Sequence, residues 1–229
     1  MNRLETIKFM VSKCKVAADI GTDHGYVAEM LLNDNICEKI IATDINKGPL
    51  NRAIEHLTSV KLNDKVDFRL GSGLKVLKEN EADSIVIAGM GGELIADIID
   101  TSINIAQKAQ ELILQPMTTA DRLRRYLYEN GFLITDEKIV KELHHYYFII
   151  KAVWGKNKKE QINEIEDEIY FETGKILIYK KDPVMMEYLE RQININDNII
   201  QNLEKSHNEE YNEKVNYLKT KNKKFRELM

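Results

Sequence analysis

One short run near the start of the chain, residues 16–26, constrains the fold more than any other feature of the 229-residue sequence. Its apolar first half predicts a buried strand, and Gly21 and Gly25 predict a tight turn that opens a helix. About twenty residues further on, a second apolar run ends in Asp44. Carboxylates at the ends of the first two strands of an α/β sheet are typical of sites for a nucleoside-like cofactor, because the second one accepts hydrogen bonds from ribose hydroxyls. The sequence therefore predicts an α/β fold with a cofactor site at this edge of the sheet.

Seven apolar runs predict strands, and their spacing predicts how the strands pair. The first five are separated by helical or helix-length segments, as in right-handed βαβ crossovers of a parallel sheet. Only a short segment separates the last two, so they should form an antiparallel hairpin at the sheet edge. This arrangement is that of the Rossmann-like class I methyltransferase sheet, with seven strands and the last one antiparallel, and not that of the NAD-binding fold. The predicted strands cover residues 16–20, 39–44, 66–70, 84–88, 111–114, 132–139 and 146–153.

The composition changes after Gly155, and residues 156–160 have the polar character of a solvated linker. Beyond it, two series of residues follow alternating spacings of three and four, which predicts an antiparallel, coiled-coil-like helical hairpin with one asparagine in each seam to fix the register. A plain helical bundle end is the alternative. We therefore predict one domain over residues 1–155 and a helical domain over 156–229. The two seams are Met186, Leu189, Ile193, Asn196, Ile200, Leu203 and Tyr211, Val215, Leu218, Asn222, Phe225, Met229.

The first turn differs from a dinucleotide-binding loop at a position that matters chemically. Asp23 takes the place of the middle glycine of a GxGxxG loop. An acidic side chain there would repel the pyrophosphate that such a loop brings to a helix N-terminus. S-adenosylmethionine has no phosphate and carries a sulfonium and an ammonium group, so Asp19 and Asp23 favour it over NAD. A tight turn in which Asp23 caps the helix is the alternative.

Segments that follow later strands add candidate site residues. The small residues 71–73 would let an adenine ring lie against the backbone. Three glycines in the four residues 89–92 predict a close approach of the backbone to a cofactor or substrate, with a strained turn as the alternative. Glu93 is either a functional acid or a first-turn residue that offsets the helix dipole. Beyond the fifth strand, a substrate contact or a solvated helix face is predicted for Gln115, Arg122, Arg124 and Arg125.

The composition limits the kinds of partner that the chain is expected to bind. The formal net charge of −4 gives no global support for a nucleic-acid partner, although a local basic surface can still bind phosphates. The two cysteines lack a metal-like spacing, and the adjacent His144 and His145 would point to opposite faces of a strand, so we predict no metal site. No apolar run approaches the length of a membrane span, and the N-terminus lacks the apolar core of a signal peptide, which predicts no membrane contact. The two cysteines favour reduced thiols over a structural disulfide, which predicts a cytoplasmic protein. The oligomeric state is left open.

Six segments, taken in order, resemble those of the bacterial tRNA adenine-N1-methyltransferases of the TrmK type. They read DIGTDHGY, ATDINKGPL, LGSGL, IAGMGGELI, LQPMTTADRLRRYL and ITDEKIVKE. The resemblance covers nearly the whole chain, and the AGMGG and LQPM segments are more specific than the first. It implies a Rossmann-like domain followed by a coiled-coil-like domain. It also implies S-adenosylmethionine as cofactor and N1 of adenine 22 in the tRNA D-arm as the methylated atom.

The resemblance also implies a role for each matched residue. Asp44 would hold the ribose, with Ile45 beside the adenine. One departure is visible in LGSGL, where an aspartate usually follows the first glycine and Ser72 stands here instead. The methionine end would be lined by Asp19, Gly21, Asp23, His24 and Gly25, the adenine by Gly71, Ser72 and Gly73, and the meeting point of methyl group and base by Gly89, Met90, Gly91 and Gly92.

The chemistry of the predicted reaction adds two kinds of residue. Methylated adenine is cationic, so a nearby carboxylate would stabilise the transition state, and Asp23 and Glu93 are the candidates. Phosphates of tRNA need cationic partners. Beyond the arginines named above, the candidates are Arg3, Lys8, Lys13 and Lys15 at the start and Lys219, Lys221, Lys223, Lys224 and Arg226 at the end.

Three rival functions remain open at the level of sequence. A small-molecule S-adenosylmethionine methyltransferase is disfavoured by the helical extension, which a small substrate does not need. A non-catalytic RNA-binding protein with the methyltransferase fold is disfavoured by the complete set of acidic and glycine positions. An NAD(P)-dependent oxidoreductase is disfavoured by the missing middle glycine and by the terminal hairpin.

Overall fold

The computed structural model describes residues 1–155, 167–205 and 209–229. Backbone contacts divide the chain into two compact units, Met1–Glu166 and Asp167–Met229. The predicted linker at 156–160 lies outside the described residues. The domain boundary after residue 155 stays a prediction.

The first unit contains one seven-stranded sheet in the order β3-β2-β1-β4-β5-β7-β6. Strands β1 to β5 are parallel, and β7 runs antiparallel to both of its neighbours, β5 and β6. The predicted class of sheet, with its hairpin at the edge, is therefore confirmed. The strands are β1 Val16–Ile20, β2 Lys39–Asp44, β3 Val66–Leu70, β4 Ser84–Gly91, β5 Glu111–Thr118, β6 Phe132–Glu142 and β7 His145–Trp154.

Helices pack against this sheet through apolar faces. Buried residues of α1, α2 and α3, among them Ile7, Leu31 and Leu57, form one core cluster with buried positions of β4, β5 and β7. The helix α4 packs on α6 and on β5. Because nearly every residue of β1 is buried, that strand reads as a continuous apolar run, as expected for the centre of a parallel sheet. The helices of this unit are α1 Arg3–Met10, α2 Tyr26–Asn33, α3 Lys47–Ser59, α4 Gly92–Asp100, α5 Ile103–Ala106 and α6 Ala120–Glu129.

Two central strands run further than their apolar runs indicate. The sequence predicted that β4 ends at residue 88 and β5 at residue 114, but pairing continues as far as Gly91 and Thr118. The register shifts between Ala88 and Met90 and again between Met90 and Gly91. Glycine at position 89 adopts φ +79°, a conformation that other residues rarely take. The glycine-rich segment is therefore an irregular strand end that remains hydrogen-bonded to its neighbour.

The second unit is helical, and its two long helices are antiparallel. Buried Asn196 donates a hydrogen bond of 2.8 Å to buried Asn222, so the two seam asparagines pair with each other. Methionine at position 185, and not the predicted Met186, is the buried residue at the start of the first seam. Part of the predicted break between the helices, residues 206–208, lies outside the described residues, and the coiled-coil supercoil stays a prediction. The helices are α7 Ile169–Thr173, α8 Lys175–Tyr179, α9 Pro183–Lys205 and α10 Asn212–Glu227.

Candidate functional site

A pocket of about 180 Å³ opens at the edge of the sheet where β1, β2 and β4 end. The sequence missed the part of its wall that helix α4 supplies, Leu94 and Ile98, because apolar helix positions carry no motif. Leu94 is 51% exposed in the first turn after a glycine-rich strand end, and that is the signal which could have identified it. Seven residues predicted for the cofactor line the pocket: Gly21, Asp44, Ile45, Gly71, Ser72, Gly73 and Met90.

A buried carboxylate lies at the end of β1, next to the pocket wall. Asp19 is 4% exposed, and its Oδ2 accepts a 2.6 Å hydrogen bond from the Thr22 hydroxyl. The pKa of the Asp19 carboxyl is raised to about 6, mainly by burial; the Thr22 hydrogen bond opposes the rise and the nearby Asp44 carboxylate adds to it. The turn itself is fixed by Gly21 and Thr22, whose N–H groups both donate to the Thr43 carbonyl.

The two glycines of this turn are required for different reasons. Gly21 has φ +77°, and a Cβ there would lie 2.2 Å from Cε of Met90, so the backbone and the methionine meet across the pocket wall. Gly25 has φ +71° and is buried against Leu57 of α3, where a Cβ would lie 2.9 Å from Cδ1. The first glycine shapes the pocket, and the second allows close packing of α2 on α3.

Asp23 and His24 are not among the residues that line the pocket. The Asp23 side chain is 58% exposed and forms an ion pair with Arg52 of α3. The His24 ring stacks on Tyr26 with the centroids 5.4 Å apart. The structure thus separates these two predicted residues from the seven that line the pocket.

Asp44 closes the β2 side of the pocket. It is 8% exposed, and its Oδ1 accepts a 2.8 Å hydrogen bond from the backbone N–H of Asn46. No cationic side chain of the described residues forms an ion pair with Asp19 or Asp44, so this edge carries uncompensated negative charge. The neighbouring Ile45 side chain is 64% exposed and adds an apolar rim.

The loop after β3 packs tightly against β2. The N–H of Gly71 donates a 2.9 Å hydrogen bond to the Asp44 carbonyl. A Cβ at position 71 would lie 2.2 Å from Cγ1 of Val76, and Gly73 has φ +54° and faces Ile98 of α4. Ser72 is exposed and lines the pocket. The glycines therefore hold the backbone, and the serine hydroxyl is the polar group that this loop presents.

The end of β4 joins the pocket to the neighbouring strand. The exposed Gly89 donates its N–H to Oε1 of Gln115 over 3.1 Å, and Gln115 itself is fully buried. Gly91 precedes α4 as its N-cap, and its Cβ would lie 3.3 Å from Oγ1 of Thr118. A Cβ at Gly92 would lie 2.3 Å from the Thr119 carbonyl oxygen. Glycine at 92 is thus explained by backbone packing, and the residue is buried.

The three predicted arginines of α6 have different environments. Side chains of Arg122 and Arg125 are 66% and 40% exposed, within reach of an external anion. Arg124 is 1% exposed, its Nε lies 2.6 Å from Oε1 of the equally buried Glu137, and its guanidinium lies over the Phe148 ring at 4.6 Å. The prediction that Arg124 meets substrate is corrected accordingly, because its helix position faces the sheet and a tRNA phosphate cannot reach it.

Two further features bear on partners. Within residues 1–155, 167–205 and 209–229, no three His, Cys, Asp or Glu side chains cluster as metal ligands would. Over the same ranges, none of the helices combines the length and the apolar character that crossing a bilayer needs.

Comparison with known proteins places the chain in a family. Residues 1–150 match the model of a methyltransferase domain family. The chain is 36% identical over 153 residues to the tRNA (adenine(22)-N(1))-methyltransferase of Bacillus subtilis, a match that covers 67% of this chain and 64% of that enzyme. The matched stretch therefore spans a little less than two thirds of that relative's length.

Solved structures agree over almost the full chain. The crystal structure of the B. subtilis m1A22 tRNA methyltransferase TrmK is 28% identical, with a TM-score of 0.85, and the match covers 99% of this chain and 97% of that one. The M. capricolum TrmK structure in complex with S-adenosylhomocysteine is 26% identical, with a TM-score of 0.80 and coverage of 99% and 96%. The family resemblance read from the six sequence segments is confirmed, and the chain belongs to the methyltransferase-domain proteins of the TrmK type.

Proposed function

We propose that this protein transfers a methyl group from S-adenosylmethionine to N1 of adenine 22 in the D-arm of tRNA. The carrying observation is the pocket at the ends of β1, β2 and β4, with its glycine backbone, Asp44 in its lining and Asp19 beside it. Within the described part of the chain, neither carboxylate has an ion-pair partner. Relatives named for this reaction share the fold over nearly the whole chain. Reactions that modify tRNA in this way belong to the cytoplasm, and we propose that location for the protein.

The residues of the pocket fit S-adenosylmethionine better than a dinucleotide. Two buried carboxylates without a cationic partner among the described residues attract a ligand that carries a sulfonium and an ammonium, and they repel a pyrophosphate. The Oδ2 atom of Asp44 remains available for ribose hydroxyls, since only Oδ1 is engaged by Asn46. Apolar Ile45, Leu94 and Ile98 surround the space beside Ser72, where an adenine ring would lie.

The chain has little to do in the chemical step beyond positioning. When bound, S-adenosylmethionine supplies an electrophilic methyl group, and N1 of adenine is unprotonated at neutral pH, so no general base is needed. The contribution of the protein is to hold N1 in line at near-attack distance. A carboxylate near the base would stabilise the cationic ring as it forms. Of the two candidates, Asp23 is already paired with Arg52, whereas the exposed Glu93 has no partner among the described residues, so we assign this role to Glu93.

Methyl transfer from labelled S-adenosylmethionine to unmodified tRNA transcripts tests the proposed function. We expect incorporation into transcripts with adenine at position 22 and none into matched transcripts with guanine there, because guanine N1 carries a proton at neutral pH. The target atom lies on a Watson–Crick edge, so a transcript in which this adenine is locked in a stable pair should react slowly. Demonstrated cofactor binding without incorporation into any tRNA would rule the proposal out in favour of a small substrate.

The affinity for S-adenosylmethionine should depend on pH through Asp19. With a pKa of about 6, the Asp19 carboxyl is mostly ionised at pH 7 and mostly protonated at pH 5. Because the carboxylate form attracts the cationic cofactor, the dissociation constant should rise about tenfold from pH 7 to pH 5. Isothermal titration at several pH values measures this change. The Asp19→Asn variant should bind S-adenosylmethionine more weakly than wild type at pH 7, and its dissociation constant should be nearly independent of pH.

The effect of Asp19 on stability changes with pH in the opposite direction to its effect on cofactor affinity. The folded-state pKa of Asp19 lies above its ordinary value of 3.8, so the folded chain holds this proton more tightly than the unfolded chain. The contribution of Asp19 to stability therefore increases as the pH falls through about 6 towards 4.

An affinity that stays constant between pH 7 and pH 5 in the wild-type chain would contradict a role for Asp19 in binding the cofactor.

A further inference from the structure

A guanidinium group from the start of the chain lies at the sheet edge beside the candidate site. Arg3, the first residue of α1, donates through Nη1 to Oε1 of Gln115 over 2.7 Å. The same nitrogen would lie 3.9 Å from a Cβ built at Gly89. Gly89 directly precedes Met90, which lines the pocket. The cation therefore stands next to the strand ends that the substrate base must approach.

The surroundings of Arg3 hold it in place. Gln115 is fully buried, its Oε1 also accepts from the Gly89 N–H, and its Nε2 donates to the Pro116 carbonyl over 2.9 Å. The guanidinium lies over the Tyr147 ring of β7 at 5.5 Å. The backbone N–H of Arg3 is bound by the Glu142 carboxylate at the end of β6. Residues of β5 and β7 thus hold the side chain, and a residue of β6 holds the backbone. This arrangement suits a group that is positioned before its ligand binds.

Arg3 lacks the counter-ion that comparable arginines have. Within the described part of the chain, its guanidinium forms no ion pair, and Nε and Nη2 make no hydrogen bond. Arg52 is instead paired with Asp23, and Arg69 is paired with Glu81. The residue is half-buried, so leaving its charge uncompensated costs free energy that an anionic ligand would recover.

We propose that Arg3, held by Gln115 and Tyr147, binds the tRNA phosphate next to the nucleotide that is methylated. This inference rests on the proposed function. A phosphate suits the free face of a guanidinium, which offers two parallel N–H donors. The base does not suit it, because methylation makes the ring cationic and a guanidinium beside N1 would oppose the reaction. An adenine that leaves its stack needs its backbone fixed while its base enters the site.

Three variants test the proposal through the salt dependence of tRNA binding. Arg3→Gln keeps a donor towards Gln115 and removes the charge. Arg3→Lys keeps the charge but loses the two parallel N–H donors of the guanidinium. The control, Lys39→Gln, removes an exposed cation at the start of β2, at the end of the strand that is opposite to the pocket. We expect Arg3→Gln to weaken tRNA binding roughly tenfold. It should also flatten the slope of log K against log salt by about 0.7–0.9, the value for one lost phosphate contact. Arg3→Lys should retain the slope, and Lys39→Gln should match wild type.

Two results would overturn the proposal. One is Arg3→Gln with wild-type affinity and slope. The other is a weaker affinity with an unchanged slope, which indicates a structural role for the arginine. Affinity for S-adenosylmethionine and thermal melting, both expected to be unchanged, verify that the variants fold. A wild-type chain that binds tRNA without methylating it would refute the proposed function, and the slope comparison would still decide the role of Arg3.

Discussion

Truncation after Gly155 is expected to abolish methyl transfer to tRNA and to leave the affinity for S-adenosylmethionine unchanged. Every residue that lines the pocket lies between Ile20 and Ile98, in a unit with its own buried core. The removed part carries the five cations of α10 that we propose as phosphate contacts. Because such contacts supply most of the affinity for nucleic acids, incorporation of labelled methyl groups should fall below detection at concentrations that saturate the full chain.

A full-length control separates lost cations from lost helices. In the structure the five proposed cations of α10 are ion-paired, so tRNA phosphates would have to replace the carboxylates, at little cost. Substituting all five by glutamine should raise KM for tRNA at unchanged kcat. A truncated chain that methylates tRNA like the full chain would contradict the proposed role of the helical unit. The pairs are Lys219–Glu204, Lys221–Glu172, Lys223–Glu227, Lys224–Asp167 and Arg226–Asp197.

Arg124→Met is expected to lower the free energy of unfolding by about 3–5 kcal/mol, because it removes the guanidinium from a buried ion pair with the Glu137 carboxylate. Arg124 and Glu137 are 1% and 2% exposed. The loss of the guanidinium from the Phe148 ring adds to the cost. Denaturant titration measures the change.

The double variant with Arg124→Met and Glu137→Leu is the matched control. It removes both charges together, so it should be more stable than Arg124→Met alone. Neither variant should alter KM for tRNA under conditions where the chain is folded, whereas Arg122→Ala on the exposed side of α6 should raise it. If Arg124→Met had wild-type stability and a raised KM for tRNA, the result would show that Arg124 contacts the substrate.

Local patterns in the sequence were sufficient for the sheet and for most of the pocket. The apolar runs predicted β1, β2 and β3 with their observed bounds. In β1 and β2 the signal is nearly uninterrupted because almost every residue is buried. The short spacing of β6 and β7 predicted their antiparallel pairing, since a parallel crossover needs more chain. Glycines with positive φ at the strand ends marked the backbone of the pocket. These features are local, so neighbours in the chain determine them.

Tertiary structure alone decided how individual charged side chains are used. Arg124 and Arg122 are two residues apart, and only packing of α6 on the sheet buries the first and exposes the second. Asp23 and Asp19 belong to the same sequence motif, yet Asp23 pairs with Arg52 of α3 and is not among the residues that line the pocket. Arg3 meets Gln115 across 112 positions of sequence. The physical reason is the same in each case. The partner of a charged side chain is determined by elements that meet only in the folded chain, and spacing along the sequence does not indicate which elements meet.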